Sequence, residues 1–243
     1  GAATNAWAIR DSSIDVGSGD DYVSLNATTF QTQRRYDPAY GSENSSIDLG
    51  SGNDRLFINA SASGQGDIRA FGALDSTIDA GSGDDVVSIN ASANSNNGWW
   101  WWGGGNDPAT AKGLANSDVD LGSGNDFLSV SASTNGGVSN ATAVEDSNID
   151  AGSGNDVINI NANARSNGGG WWWWNRGGNP ATAKGLDNSN LDTGSGDDSI
   201  SINTNATSNG GWWWWGGGGN ADSVGIDNNS SINTGAGNDS VVV

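Results

Sequence analysis

Apolar and polar residues alternate one for one along much of this chain. Val23, Leu25 and Ala27 are separated by Ser24 and Asn26, and Ile158, Ile160 and Ala162 by Asn159 and Asn161. Ile14 and Val16 flank Asp15 in the same way. A period of two over about five residues marks a half-buried β-strand. No stretch spaces its apolar residues at the 3.6-residue period of a helix, so no helix is predicted. The alternating runs come in pairs around a glycine-rich turn, and the pairs recur. Seven segments align: SSIDVGSGDDYVSLNA from Ser12, SSIDLGSGNDRLFINA from Ser45, STIDAGSGDDVVSINA from Ser76, SDVDLGSGNDFLSVSA from Ser117, SNIDAGSGNDVININA from Ser147, SNLDTGSGDDSISINT from Ser189 and SSINTGAGNDSVVV from Ser230.

The first turn glycines are Gly17, Gly50, Gly81, Gly122, Gly152, Gly194 and Gly235, at intervals of 33, 31, 41, 30, 42 and 41 residues. A constant unit with spacers of variable length is the signature of a solenoid that carries its insertions on one side. One unit alone cannot bury its few aliphatics. Coils stacked about 4.8 Å apart turn each inward position into a ladder. Ile9, Leu74, Leu114, Val144 and Leu186, four or five positions before each Ile-Asp step, supply a further inward position. The expected fold is therefore all-β: a parallel β-solenoid of about seven coils, one array over residues 1–243, with protruding Gly/Trp-rich loops. A sandwich of seven hairpins is the alternative, but hairpins give no reason to repeat one acidic turn at every step.

Composition narrows the function classes. The chain has 28 acidic and 9 basic residues, no histidine, and a formal net charge of -19. That charge argues against nucleic acid and anionic membranes as partners and in favour of cations. With no cysteine there is no disulfide framework, no thiolate nucleophile and no zinc site of the Cys/His kind. No apolar run approaches the ~20 residues of a membrane span. The two lysines, Lys112 and Lys184, lie in the spacer repeats, and no constellation of base, acid and cation binder stands outside the repeats. The expectation is a protein that is not an enzyme.

The turn carries the candidate chemistry. Asp21, Asp54, Asp85, Asp126, Asp156, Asp198 and Asp239 close it, and Asp15, Asp48, Asp79, Asp120, Asp150 and Asp192 precede it. In-register stacking makes each set a column of like charges. Two carboxylates at coil spacing repel by roughly 3–4 kcal/mol at an effective dielectric near 20. A cation between rungs relieves this, and calcium suits it: it takes six to eight oxygens from carboxylates and backbone carbonyls together. A metal-free polar ladder is the alternative, with Asn53, Asn125, Asn155, Asn238 and the aspartates bonding to neighbouring backbone.

The string AGSGNDVIN, Ala151 to Asn159, resembles the G-G-x-G-x-D-x-U-x nonapeptide of the hemolysin-type (RTX) calcium-binding repeats. That resemblance implies a calcium loop over the first six residues and a short strand over the last three. It implies side-chain ligands at Asp21, Asp54, Asp85, Asp126, Asp156, Asp198 and Asp239. It implies carbonyl ligands from Gly17, Ser18 and Gly19 and their counterparts, whose glycines are Gly50 and Gly52, Gly81 and Gly83, Gly122 and Gly124, Gly152 and Gly154, Gly194 and Gly196, and Gly235 and Gly237. The chain departs from the pattern at the first glycine, replaced by Val16, Leu49, Ala80, Leu121, Ala151, Thr193 and Thr234. It also has one nonapeptide per coil, so calcium is expected along one edge.

Three spacers hold a tryptophan tetrad: Trp99, Trp100, Trp101 and Trp102; Trp171, Trp172, Trp173 and Trp174; Trp212, Trp213, Trp214 and Trp215. Four consecutive tryptophans cannot all face a thin core, since neighbours on a strand point to opposite sides. Packing within or between chains, stacking on sugar rings and adhesion to a surface are the candidate roles. The spacer Thr28 to Asn44, with Arg34, Arg35, Tyr36, Pro38 and Tyr40, reads as a solvated loop. Asn26, Asn59, Asn90 and Asn140 begin N-x-S/T strings that an Asn ladder explains as well as glycosylation does.

Gly1 at the start predicts a processed product or an excised segment, and the tail Ser240 to Val243 breaks off where earlier units continue. Joined tail to head, the two ends complete one coil. The expected function is thus structural: a secreted or cell-surface, bacterial-type, calcium-stabilised solenoid that associates end to end into a fibre, surface layer or adhesin stalk. The alternative is a module that binds polysaccharide or another surface through the tryptophan loops.

Overall fold

The computed structural model describes residues 5–32, 37–96, 107–167, 179–209 and 219–243. Three parallel sheets of seven strands each wind into a solenoid. The first sheet holds Ala6–Arg10, Ala39–Glu43, Ile68–Leu74, Ala109–Ala115, Ser139–Glu145, Ala181–Asp187 and Ala221–Asp227. The second is narrow: Ser13–Asp15, Ser46–Asp48, Thr77–Asp79, Asp118–Asp120, Asn148–Asp150, Asn190–Asp192 and Ser231–Asn233. The third is broad: Tyr22–Gln31, Arg55–Gly64, Val86–Ser95, Phe127–Gly136, Val157–Ser166, Ser199–Ser208 and Ser240–Val242. Each coil contributes one strand to each sheet, and every strand pairs with its counterpart one coil away. The hairpin alternative is thereby excluded.

The core is a bundle of ladders. Leu56, Val87, Leu128, Ile158 and Ile200 form one on the third sheet, and Ile58, Ile89, Val130, Ile160 and Ile202 the next, all buried. Ile47, Ile78, Val119, Ile149 and Leu191 line the second sheet. Each fully buried Leu or Ile contributes roughly 1.5–3 kcal/mol, so stacking supplies what a single coil lacks. Leu49, Ala80, Leu121, Ala151 and Thr193 are fully buried as well. The position where the nonapeptide has its first glycine is here an inward core position, which accounts for that departure.

The first sheet breaks strict alternation. Its pairing passes from Lys112↔Phe71 to Leu114↔Ala73 across Gly72 and Gly113. A Cβ on Gly72 would lie 2.5 Å from both the Gly113 carbonyl oxygen and Ile89 Cγ2. The glycine column thus lets the first sheet close onto the third. Leu114, Val144 and Leu186 are inward as expected, but in the third coil the inward residue is Ala73, and Leu74 is only half-buried. The expectation of a loop over Thr28 to Asn44 is also corrected. Thr28 to Gln31 ends one strand, Ala39–Glu43 is another, and Tyr40 is buried, stacked between Trp7 and Phe71 at centroid distances of 5.9 and 5.2 Å. The lysines likewise belong to first-sheet strands. Lys112 pairs with Glu145, and Lys184 with Asp187 at 2.8 Å and Asp227 at 2.7 Å.

The links that vary widely in length fall at one corner, between the third sheet and the first sheet of the next coil; elsewhere the one change is a single extra residue in 228–230. The corner links span 32–38, 65–67, 96–108, 137–138, 167–180 and 209–220. The three tryptophan tetrads are in the long ones and lie outside the described residues.

Candidate cation-binding edge

The turn between the second and third sheets stacks rung on rung. The serine between the two turn glycines bridges its counterpart in the next coil, from Ser18↔Ser51 through to Ser195↔Ala236. Ser82 N–H donates to the Gly50 carbonyl at 3.0 Å, and Gly52 N–H donates to the Ser82 carbonyl at 2.8 Å; the other coils repeat this. Two of the three carbonyls implied as ligands, those of the first glycine and the serine, therefore already accept inter-coil hydrogen bonds. The third, on the second glycine, points along the stack: the Gly52 oxygen lies 1.8 Å from where a Cβ on Gly83 would sit.

The closing aspartates form the column that register demands. Each offers Oδ1 to the backbone N–H of the closing aspartate one coil earlier. The bonds are Asp21 to Asp54, Asp54 to Asp85 and Asp85 to Asp126 at 2.7 Å, Asp126 to Asp156 and Asp156 to Asp198 at 2.9 Å, and Asp198 to Asp239 at 3.0 Å. The other oxygen is orphaned. Oδ2 of Asp21, Asp54, Asp85, Asp126, Asp156 and Asp198 is buried with no hydrogen-bond partner. The five side chains from Asp54 to Asp198 are at most 2% exposed. A dry, unpaired carboxylate oxygen is costly, and here six stand in file. Burial first, and then the carboxylates on adjacent rungs, push Asp126 up to about 7 from the usual 3.8, against the lowering effect of the Asp85 N–H. Burial is also the main cause that raises Asp85 and Asp156 to about 6.

The residue before each closing aspartate behaves differently. Its side-chain oxygen accepts the N–H of the next coil, as from Asn53 to Asp20 at 2.9 Å and from Asp84 to Asn53 at 2.8 Å. Along this column Asp20, Asp84 and Asp197 are each separated by Asn. The polar ladder raised as the alternative thus exists here, beside the all-aspartate column and not in place of it. The earlier set lies on the second sheet, exposed from Asp15 to Asp150 and half-buried at Asp192. There Asp48, Asp79, Asp120, Asp150 and Asp192 line a shallow trough with Ser46, Thr77, Asp118 and Asn148.

Two features were missed in the sequence. Asp11, Asn44, Asp75, Asn116, Asp146, Asn188 and Asn228 occupy left-handed backbone at the corner between the first and second sheets, with φ between 47 and 54°. Asn and Asp tolerate that region best among non-glycine residues. Their Asp/Asn alternation pairs Asn44 with Asp11 at 2.7 Å, Asn116 with Asp75 at 2.5 Å and Asn188 with Asp146 at 2.7 Å. The following serines form a buried ladder, as in Ser76 N–H to Ser117 Oγ at 3.1 Å. Starting each aligned segment one residue earlier would have exposed the Asp/Asn column in the first six coils; in the last, one extra residue sets Asn228 two before Ser230. Asn116→Asp is expected to cost about 1–3 kcal/mol, by losing one hydrogen bond and seating a carboxylate between Asp75 and Asp146. Urea melts that recover with added salt would check it. The Asn ladder raised for the N-x-S/T strings is present on the third sheet: Asn59 donates to Asn26 at 3.0 Å and Asn90 to Asn59 at 3.1 Å.

Among the described residues no three carboxylates converge to form a preformed metal cage. The orphaned Oδ2 file nevertheless fits a row of cations in its chemistry: hard, anionic, dry oxygens repeated at coil spacing. Comparison with protein-family models, with curated proteins and with solved structures found no match.

Proposed function

We propose that this chain is a structural, calcium-stabilised extracellular β-solenoid that contributes to a surface fibre, surface layer or adhesin. The observation that carries this reading is the file of six buried, unpartnered Oδ2 atoms along one edge of an unbroken in-register stack. Asp21, Asp54, Asp85, Asp126, Asp156, Asp198 and Asp239 would hold the ions, each gap between rungs drawing oxygen from the aspartates on either side. Bound calcium supplies the positive charge that the column lacks. The chain's own part is to set the carboxylates at one spacing and to keep bulk water from Oδ2. Calcium favours the stacked chain over the separated strands, so its concentration sets stability.

End-to-end association extends the same logic. The outer edges of the first and last coils leave Ile14, Val23 and Leu25 half-exposed at one end, and Val241 and Val242 at 44% and 59% exposure at the other. Asn238 on the last coil and Asp20 on the first match the step from Asn53 to Asp84 made inside the chain. A heterologous contact of this kind does not close and makes a filament.

Circular dichroism and negative-stain microscopy through a calcium titration, reversed with EGTA and repeated with magnesium, test both parts. A melting temperature that climbs with calcium, with filaments that appear and then vanish on chelation, is the expected result. Melts that coincide in calcium and EGTA would sink the metal column. Calcium-raised melts with particles that stay single would sink the filament alone.

A further inference from the structure

The third sheet is the largest face of the solenoid, and its chemistry differs from that of the rest of the chain. Its seven strands contain no aspartate and no glutamate, in a protein with 28 acidic residues. Its charged residues are Arg55 and Arg165. The outward columns are amides and hydroxyls. One runs Asn26, Asn59, Asn90, Ser131, Asn161 and Asn203, and the neighbouring one Thr28, Ser61, Ser92, Ser133, Asn163 and Asn205. Strands of ten residues at about 3.3 Å per residue, stacked at about 4.8 Å, give a face roughly 33 Å by 29 Å.

The same face carries exposed aromatics. Tyr22 and Phe30 are each 68% exposed and Phe127 is 37% exposed, with Phe57 tilted against Tyr22 at 5.6 Å. Apart from residues of the last coil, every exposed large apolar side chain among the described residues lies on this sheet. Aromatic faces beside amides and hydroxyls, with Arg55 and Arg165 as the sheet's two charges, make a surface of low charge that does not form a dry apolar interface.

We infer that the outer face of the third sheet is a binding surface for an uncharged polysaccharide. Pyranose rings present C–H faces that stack on Tyr22, Phe30 and Phe127, and hydroxyls that match the Asn and Ser/Thr columns. The amide ladder is partial: Asn59 donates to Asn26 at 3.0 Å and Asn90 to Asn59 at 3.1 Å, and Asn26, Asn90 and Asn203 also donate to Ser24, Ser88 and Ser201. Asn26 and Asn59 each keep one N–H, and their oxygens a second lone pair, which a sugar hydroxyl satisfies in a single contact. An anionic polymer is disfavoured by the net charge of -19. A second copy laid face to face offers only the same half-satisfied amides and no apolar core. The inference does not depend on the tryptophan segments, which lie outside the described residues. The inference does not rest on the calcium reading.

The test is retention of the full chain, held in calcium, on microcrystalline cellulose and on insoluble chitin, with calcium alginate gel as the anionic control. Sedimentation velocity on the soluble fraction runs alongside. Retention on at least one neutral polymer and none on alginate is expected. Tyr22→Ser, Phe30→Ser and Phe127→Ser combined should cut retention at least tenfold with an unchanged melting temperature. Asp118→Asn, on the second sheet, should leave retention unchanged. No retention on either neutral polymer overturns the inference. So does retention that survives the triple variant but is lost when the tetrads are replaced by Gly-Ser, which would assign binding to the tryptophans. Self-association that the triple variant abolishes, without polymer retention, assigns the face to a second copy. If the triple variant melts early, the single Tyr22→Ser variant, at the strand's exposed start, is read instead, with a several-fold loss expected.

Discussion

Asp126→Asn raises the melting temperature of the calcium-free protein and diminishes the gain that calcium confers. The amide keeps an Oδ1 acceptor for the Asp85 N–H, now bonded at 2.7 Å. It replaces the orphaned Oδ2 with an NH2 group one rung from the orphaned Oδ2 atoms of Asp85 and Asp156. The chain makes such one-rung amide bridges elsewhere, as from Asn90 to Asn59 at 3.1 Å. A buried charge is thus removed and an unpaired oxygen gains a donor. At about 2–4 °C per kcal/mol for a chain of this size, a rise of roughly 2–6 °C in EGTA is expected. In saturating calcium the sign reverses, because two inter-rung positions lose a carboxylate. Differential scanning calorimetry in EGTA and in calcium reads both limbs. A lower melting temperature in EGTA would mean that the column carries no unrelieved charge.

The pH dependence follows from the same oxygens. Asp85 and Asp156 stand near 6 and Asp126 near 7 in the folded chain, against about 3.8 when unfolded. Between those limits the unfolded chain has released protons that the folded one still holds. Stability contributed by these groups is therefore full below about pH 4 and is lost as pH rises through 6 to 7. The calcium-free protein should resist urea better at pH 5 than at pH 8, and Asp126→Asn should flatten the upper part of that fall. Urea midpoints that rise steadily from pH 5 to pH 8 in EGTA would contradict it.

Much of the fold was legible because one sheet obeys a simple rule. On the third sheet Leu56, Ile58, Ala60 and Ala62 turn inward and Arg55, Phe57, Asn59 and Ser61 outward, so period-two alternation located the strand and its buried face together. The turn was legible because its glycines and aspartates recur in identical order. The first sheet was not, because Gly72 and Gly113 shift the phase in mid-strand and leave neighbours such as Gly72 and Ala73 both buried. Alternation counted back from the Ile-Asp step then lands on Leu74 in place of Ala73. At the edge, the sequence pointed to an aspartate column. It could not say that Oδ1 caps the backbone of the coil before while Oδ2 is left over, since that depends on side-chain direction at the turn. The acid-free third face was visible residue by residue, but only the register shows that its columns are contiguous.

Gly154→Ala should break the stack, and Gly19→Ala should not, though both glycines hold the same turn position. Their backbones are alike, with φ of +129 and +120°, so each substitution bears the local cost of an L side chain in left-handed backbone, about 1–2 kcal/mol. They differ in what lies beneath. A Cβ on Gly19 meets nothing within 4 Å, whereas on Gly154 it would sit 1.6 Å from the Gly124 carbonyl oxygen and 2.5 Å from its carbon. That oxygen belongs to the backbone of the coil below and cannot turn aside without giving up the Ser123↔Ser153 bridge and the bond from Gly124 N–H to the Ser153 carbonyl at 2.8 Å. The coils must separate locally, which also opens the contact from Asp126 to Asp156. A loss of more than about 3 kcal/mol is expected at this interface, as for other backbone and overpacking strain. Because a solenoid is held by nearest-neighbour terms, the damage falls on one interface and not on the whole array. The Gly154→Ala chain should therefore melt in two steps, coils one to four apart from coils five to seven, while Gly19→Ala keeps one transition within a few degrees of the parent. A single shifted transition for Gly154→Ala would show that the seven coils fold as one unit, with coupling that reaches well beyond adjacent rungs.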